Sequence, residues 1–388
     1  MEIPLIIAAI QRAHQDVQNN IPGAQQRLLS LSYKLSASIE TPAQSIWKTF
    51  YSDPLKASVL RTASDLDIFS TLKSAAGPVA CSDLAAPKNA SPALVRRLVA
   101  FLVSVNVIAE SGVDQYVATP LSDALTEAKY KGGIIYGHDV VARSTWQISD
   151  YLRDRGYQNP ADPVDAPLQE AFGTKEHFFP FISKDPLLIG SFNDFMGAYR
   201  DGKESWLNFF PFEDRVLKDA NPTEKVLVDV GGGLGHDLTA VVKAVPDLRG
   251  RVVLQDREEV IAGIQHLDES IEKQAHDFFT PQAVKAKAYY LHSVLHDWDD
   301  ESCVKILQNL MPAMGQESKI LIHDLVMSDK DPDWSVTAMD LAMMALGSVK
   351  ERTESEWRAL VGRAGLKVNR VYSPFDRSSE WIIEAGLP

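Results

Sequence analysis

The chain reads as an α/β protein: a C-terminal doubly wound sheet preceded by a mainly helical N-terminal half that closes in a winged-helix layout. Three observations predict this. From Lys225 onward, short apolar runs alternate with helical stretches, the signature of βαβ units and a parallel sheet covered on both faces. The first of those runs, residues 226–230, breaks directly into glycines. Between residues 53 and 127, helical stripes give way to two short strand-like runs around Gly112.

Taken in order, the first fifty residues carry a helical stripe (Leu28, Leu31, Leu35, Ile39), interrupted once at Pro22-Gly23. Such a stripe needs a surface to cover, its own core or a partner subunit, so a homodimer is expected. Leu55, Val59, Leu60, Ala63 and Leu66 form the next stripe. Ser91-Pro92 then reads as an N-cap with proline at the first helical position, opening a run through Leu94, Leu98, Phe101 and Leu102. Residues 107–109 and 116–118 complete a three-helix-plus-hairpin pattern.

A region dense in large apolar side chains follows, including Phe178, Phe179, Phe181, Phe192, Met196 and Trp206. Its plain reading is a helical core, and its sharper one a set of walls for an apolar ligand. Strands are expected at 226–230, 252–256, 288–291 and 319–322, with a terminal pair at 368–371 and 381–384. The expected division is residues 1–130 as a helical winged-helix domain, 131–215 as helical connector, and 216–388 as the doubly wound α/β domain.

Composition limits the function classes. With 388 residues, 45% hydrophobic and 23% charged, the chain folds as an ordinary globular protein and is not disordered. The net charge of −13 argues against a polyanion binder. The winged-helix segment itself has six basic against eight acidic residues, too few cations to neutralise phosphates, so no nucleic acid partner is expected. Two cysteines cannot frame a disulfide fold or supply a thiolate zinc site, and no metal is expected. Cys303, within an apolar helical pattern, reads as a buried inert thiol. The apolar run at residues 3–10 is too short to span a bilayer and lacks a basic n-region. A cytoplasmic protein without a membrane partner is the expectation.

The strongest chemical signal is Val228-Asp229-Val230-Gly231-Gly232-Gly233-Leu234-Gly235-His236. Gly231, Gly233 and Gly235 stand where a strand turns into a helix, allowing a tight turn and close approach of a ligand to backbone. His236 occupies the place of the third glycine in the dinucleotide fingerprint, so the spacing suits a nucleoside without pyrophosphate and disfavours a dehydrogenase. Asp256 ends the next strand, where a carboxylate can accept from ribose hydroxyls.

With these residues in view, the sequence resembles the class I S-adenosylmethionine-dependent O-methyltransferases of plant and fungal secondary metabolism. Five motifs in register carry the resemblance: residues 229–235, Leu254-Gln255-Asp256, His276-Asp277-Phe278-Phe279, Leu295-His296-Asp297-Trp298 and Lys350-Glu351-Arg352-Thr353. It implies a Rossmann-like catalytic domain binding S-adenosyl-L-methionine. In the family the glycine loop at 229–235 holds the methionine portion, the acid at Asp256 the ribose, and the pair at Asp277 and Phe278 the adenine. His292, at a strand end, is a candidate for the cofactor carboxylate. His296 matches the family's general base, and imidazole suits removal of a phenolic proton near neutrality. Asp324 and Glu351 match the acids that aim it, although plant members commonly have glutamate at the first position. Phe192, Met196 and Met343 match positions that line the acceptor pocket. His138 has two readings, a substrate contact or a satisfied core histidine.

The expected reaction is methyl transfer to a phenolic or enolic hydroxyl of an aromatic or polyketide-type metabolite. The alternative is a pericyclase on the same scaffold, in which the sulfonium stabilises developing charge and no methyl leaves. A transcriptional regulator built on the winged helix is disfavoured by the charge of that segment.

Overall fold

The structure is a computed structural model and describes residues 2–198, 204–218, 220–330, 332–374 and 380–388. The chain forms two compact units that interleave in sequence. Met1–Tyr151 with Pro167–Gly202 make the first, and Leu152–Ala166 with Lys203–Pro388 the second.

In the first unit, helices Ile3–Gln18 and Ala24–Ile39 pack on each other and lead into helix Pro42–Trp47. Helices Asp53–Asp65, Ile68–Ser74, Cys81–Ala85 and Pro92–Ser104 then enclose a small core of Ala63, Ile68, Leu84, Val95, Val99 and Leu102. The hairpin that closes this group is β1 (Ala109–Gly112) and β2 (Gln115–Val117). Its first strand starts two residues later than expected. Val107 and Ile108 are fully buried beneath the hairpin, so their apolar character reports core burial rather than strand pairing. A third segment joins through Val79, which bridges Tyr116 antiparallel. Ser91 stands at the N-cap of its helix with Pro92 first inside, but its side chain makes no capping bond, so proline geometry starts that helix.

The second unit is built on a seven-stranded sheet. Its strands are β3 (Lys225–Val230), β4 (Val252–Asp256), β5 (Ile271–Ala275), β6 (Ala286–His292), β7 (Lys319–Asp324), β10 (Lys367–Tyr372) and β11 (Trp381–Gly386). Between them in sequence, β8 (Val326–Met327) and β9 (Arg352–Thr353) form a short parallel ladder of their own. The sheet order is β10-β11-β7-β6-β3-β4-β5. Five strands are parallel, whereas β11 runs antiparallel between β7 and β10.

Side chains alternate between two apolar layers, as the pleat requires. Val228, Val230, Tyr289, Leu291, Ile320 and Ile322 face the helices Asp300–Leu310 and Glu354–Arg363, meeting Ile306, Leu307, Trp357 and Leu360. Leu227, Leu254, Ala288, Tyr290 and Leu321 face the opposite way, onto Leu238 and Val241 of helix His236–Ala244 and onto Trp206 and Phe210. β5 was not among the expected strands. Its sequence, Ile-Glu-Lys-Gln-Ala, is mostly polar because it is the sheet edge, with only Ile271 buried. Among the described residues, no helix is long and apolar enough to cross a membrane.

Candidate active site

The sheet geometry assembles one cluster at the carboxyl ends of β3, β4, β6 and β7, where open α/β sheets place their ligands. β3 ends in the glycine turn, with Gly231, Gly233 and Gly235 at φ of +77°, +57° and +79°. A Cβ at Gly235 would meet Leu267 at 2.6 Å and Leu254 at 2.9 Å, so that position is closed to any side chain. Gly233 is different: a Cβ there would meet nothing within 4 Å, yet its left-handed backbone still favours glycine. The turn therefore leaves bare backbone facing open space. Asp229 lies fully buried beneath it.

Asp256, at the end of β4, is already fixed. Its Oδ2 accepts from the backbone N–H of Gly233 at 2.8 Å and its Oδ1 from that of Arg257 at 2.8 Å. Each oxygen keeps a further lone pair, enough to accept from a ligand hydroxyl. Asp277 is exposed and closes a local turn, accepting from Phe279 N–H at 2.9 Å. Phe278 packs edge-on against Phe279 and Trp298 and reaches to 3.6 Å from where a Gly231 Cβ would stand. These residues converge around the glycine turn. A cradle of bare backbone, a pre-oriented carboxylate and an aromatic wall fits a nucleoside with a small charged tail.

His292 ends β6, and its Nδ1 lies 2.7 Å from Asp237 Oδ2 in the first turn of helix His236–Ala244, which follows β3. It stacks on His323 of β7, with centroids 4.2 Å apart and planes at 25°. His292, His323 and Glu380 bring ligand-type atoms within 4.8 Å of one another. His292 and His296 also stand at a metal-type i, i+4 spacing, but they lie on a strand end and a separate turn rather than on one helix face.

The chain leaves β6 through Ser293, held at φ +51° with its N–H bonded to His323 O at 3.0 Å. The single turn Leu295–Asp297 then presents His296. His296 Nδ1 is 2.9 Å from Glu351 Oε1, and its Nε2 is 3.6 Å from Asp297 Oδ1, beyond hydrogen-bond reach. Glu351 has no exposed side-chain surface, and its N–H is anchored to Asp340 Oδ1 at 2.9 Å. Asp324, the last residue of β7, is buried, and among the described residues neither carboxylate oxygen has a hydrogen-bond partner. It is near enough to act on the imidazole through its charge but makes no bond to it, so Glu351 alone aims the ring.

Three carboxyls around one imidazole set the protonation. Burial opposes charge on His296, but Asp297, Glu351 and Asp324 together outweigh it and carry its pKa up to about 10. Burial raises Asp297 to about 6 and Asp324 well above the carboxylate range, against the pull of His296. Cys303, behind this turn, is buried, and loss of solvation lifts its thiol to about 12, as an inert cysteine requires.

Of the expected acceptor-side residues, Met343 is half-buried in helix Trp334–Gly347 of the second unit. His138, Phe192 and Met196 belong to the first. Phe192 meets Tyr136, Phe178 and Phe179 edge-on at 5.3 to 6.1 Å, and Met196 is exposed. His138 Nδ1 is 2.7 Å from Asp139 Oδ1, and that carboxylate also accepts from Arg61 Nε at 3.1 Å.

Comparison with known proteins gives the family. Residues 165–367 match the O-methyltransferase domain model, and residues 52–128 match the O-methyltransferase dimerisation domain. O-methyltransferase mpaG of Penicillium roqueforti is 39% identical over 98% of each chain. Among solved structures, one described as a pericyclic reaction enzyme superposes with a TM-score of 0.91 at 27% identity, covering 100% of both chains. OxaC in complex with S-adenosylhomocysteine and oxaline superposes at 0.87 and 27% identity, over 100% of this chain and 99% of that one. With the glycine turn, the carboxylate at the end of β4 and both family domains in place, the chain belongs to the S-adenosylmethionine-dependent O-methyltransferases.

Proposed function

We propose that this enzyme methylates a phenolic or enolic hydroxyl of an aromatic or polyketide-type secondary metabolite, with His296 as general base. The observation that carries the reading is the His296–Glu351 contact of 2.9 Å, made by a fully buried carboxylate to Nδ1 and leaving Nε2 for the acceptor. Glu351 fixes the ring, and the pKa near 10 makes its neutral form a strong proton acceptor, so methyl transfer should rise with pH towards that value. S-adenosyl-L-methionine supplies the electrophilic methyl. Gly231, Gly233, Gly235 and Asp229 would hold its amino-acid portion, Asp256 its ribose, Asp277 and Phe278 its adenine, and His292 its carboxylate. His138, Phe192, Met196 and Met343 would line the acceptor side. In-line orientation of acceptor oxygen over the methyl carbon supplies the rest of the acceleration.

His296→Gln tests the assignment: S-adenosylhomocysteine binding should persist while methyl transfer falls about 10²- to 10⁴-fold. Wild-type turnover in that variant would remove His296 as the base. A second reading, pericyclic chemistry without methyl transfer, is supported by the overlay on a pericyclic reaction enzyme. Mass spectrometry separates them, a gain of one CH₂ against an isomer of unchanged mass. A homodimer is supported by the matched dimerisation domain and by the exposed Ile46, Trp47, Phe50, Tyr51 and Leu55 that lead into it.

A further inference from the structure

The base and its acid are held by a third group that neither the sequence nor the reading above assigns. Glu351 is followed by Arg352, whose side chain is 1% exposed. Its Nη1 donates to Leu295 O at 3.1 Å and its Nη2 to Trp298 O at 2.9 Å. Nε and Nη2 together grip Asp300 Oδ1 at 3.0 and 2.8 Å. The guanidinium stands over the Trp357 ring, 5.1 Å from its centroid, which closes the far side. From behind, the Cys303 thiol lies within donor reach of the same two carbonyls, 3.1 Å from Leu295 O and 3.4 Å from Trp298 O.

These two carbonyls bracket the turn that carries His296. Leu295–Asp297 is three residues long, with Asp297 N–H bonded to Val294 O at 3.2 Å and Trp298 N–H to Leu295 O at 3.3 Å. Arg352 is itself rigid, since its backbone pairs with Val326 in the β8–β9 ladder. One dipeptide thus carries both the acid that orients the imidazole ring and the cation that fixes the imidazole's backbone. We infer that Arg352 is the positioning residue of the active site, locking the His296 turn at both ends so that ring and carboxylate keep their register.

The inference uses features of arginine that lysine lacks. Leu295 O, Trp298 O and Asp300 Oδ1 are reached from three different nitrogens of one planar fork. An ammonium offers one nitrogen and a point charge. Arg352 touches no reacting atom and acts through His296. Its consequence for catalysis rests on His296 being the base, but its effect on the imidazole does not.

The test is nuclear magnetic resonance of the full chain with histidines labelled at Cε1, in wild type, Arg352→Lys and Arg352→Met, with His296→Gln to assign the signal. The charged groups facing the ring are Asp297 on its own turn, Glu351 ahead of β9 and Asp324 at the end of β7. In Arg352→Lys the charge is kept but the fork is lost. The His296 signal should broaden or split, and its titration midpoint should fall by about one pH unit or more as the ring parts from Glu351. The His138 signal should not move, and the Kd for S-adenosylhomocysteine should change by less than about twofold. A wild-type His296 signal and midpoint in Arg352→Lys would overturn the inference.

Should both Arg352 variants fail to fold, Asp300→Ala decides, because Asp300 is 39% exposed at a helix start and its loss removes one of the three acceptors that Arg352 reaches. A smaller downward shift of the His296 midpoint supports the lock, and an unchanged midpoint refutes it. Full methyl transfer by His296→Gln would remove the base assignment and leave this result standing.

Discussion

Replacing Glu351 by glutamine removes one charge and almost no volume. Glutamine Oε1 can still accept from Nδ1–H at the observed 2.9 Å, so the ring should keep its orientation while its counter-charge disappears. Two unit charges about 4 Å apart at an effective dielectric near 20 interact by about 4 kcal/mol. Part of that is offset by the cost of keeping Glu351 out of water, and a charge-assisted hydrogen bond contributes about 1.5–3 kcal/mol net. At about 1.4 kcal/mol per pKa unit, the His296 midpoint should fall by about one to two units. It starts from about 10, where Asp297, Glu351 and Asp324 hold it against burial. The assay is a pH titration of the Cε1-labelled histidine signal in wild type and Glu351→Gln, with cofactor absent. A midpoint unchanged within a few tenths of a unit would refute the argument, because the closest acid would then carry no electrostatic coupling to the ring.

Two further outcomes follow from the same geometry. Gly233→Ala forces an L side chain into a left-handed backbone at φ +57°, which costs about 1–2 kcal/mol, and sets a methyl in the open space before the turn. Calorimetry should show S-adenosylhomocysteine binding weakened about tenfold or more, and unchanged affinity would detach the turn from the cofactor. The raised pKa of His296 stabilises the fold fully below the unfolded value near 6.5 and is lost as pH climbs towards about 10. Urea unfolding between pH 6.5 and 9.5 should show stability falling by up to about 1.4 kcal/mol per pH unit from this group, with a shallower slope in His296→Gln. Equal slopes would refute the assignment.

Much of the cofactor cradle was legible because its signals are local. A strand, three glycines and an acid at the next strand end lie within one βα unit, and turn chemistry reads directly from residue type. β5 was not legible: an edge strand buries one face only slightly, so its charged residues imitate a loop. The hairpin register slipped because Val107 and Ile108 are apolar for the core rather than for a ladder. The His296 cluster needed the family motifs, since β6, β7 and the segment before β9 meet only through sheet order. Arg352 was missed for a related reason. A buried arginine looks like a surface cation in sequence, and two of its three partners here are main-chain carbonyls, which no residue pattern records.

The placement of β11 sets an order on assembly. β10 comes earlier in the chain but lies outside β11 in the sheet, so it has no strand to join until β11 has been made. Trp381 of β11 pairs in register with Asp324, the unpartnered acid facing His296. The five parallel strands can settle first and form the cofactor cradle. The acid–base side is completed only when the β10–β11 hairpin docks through β11 onto β7 and brings Trp381 beside Asp324.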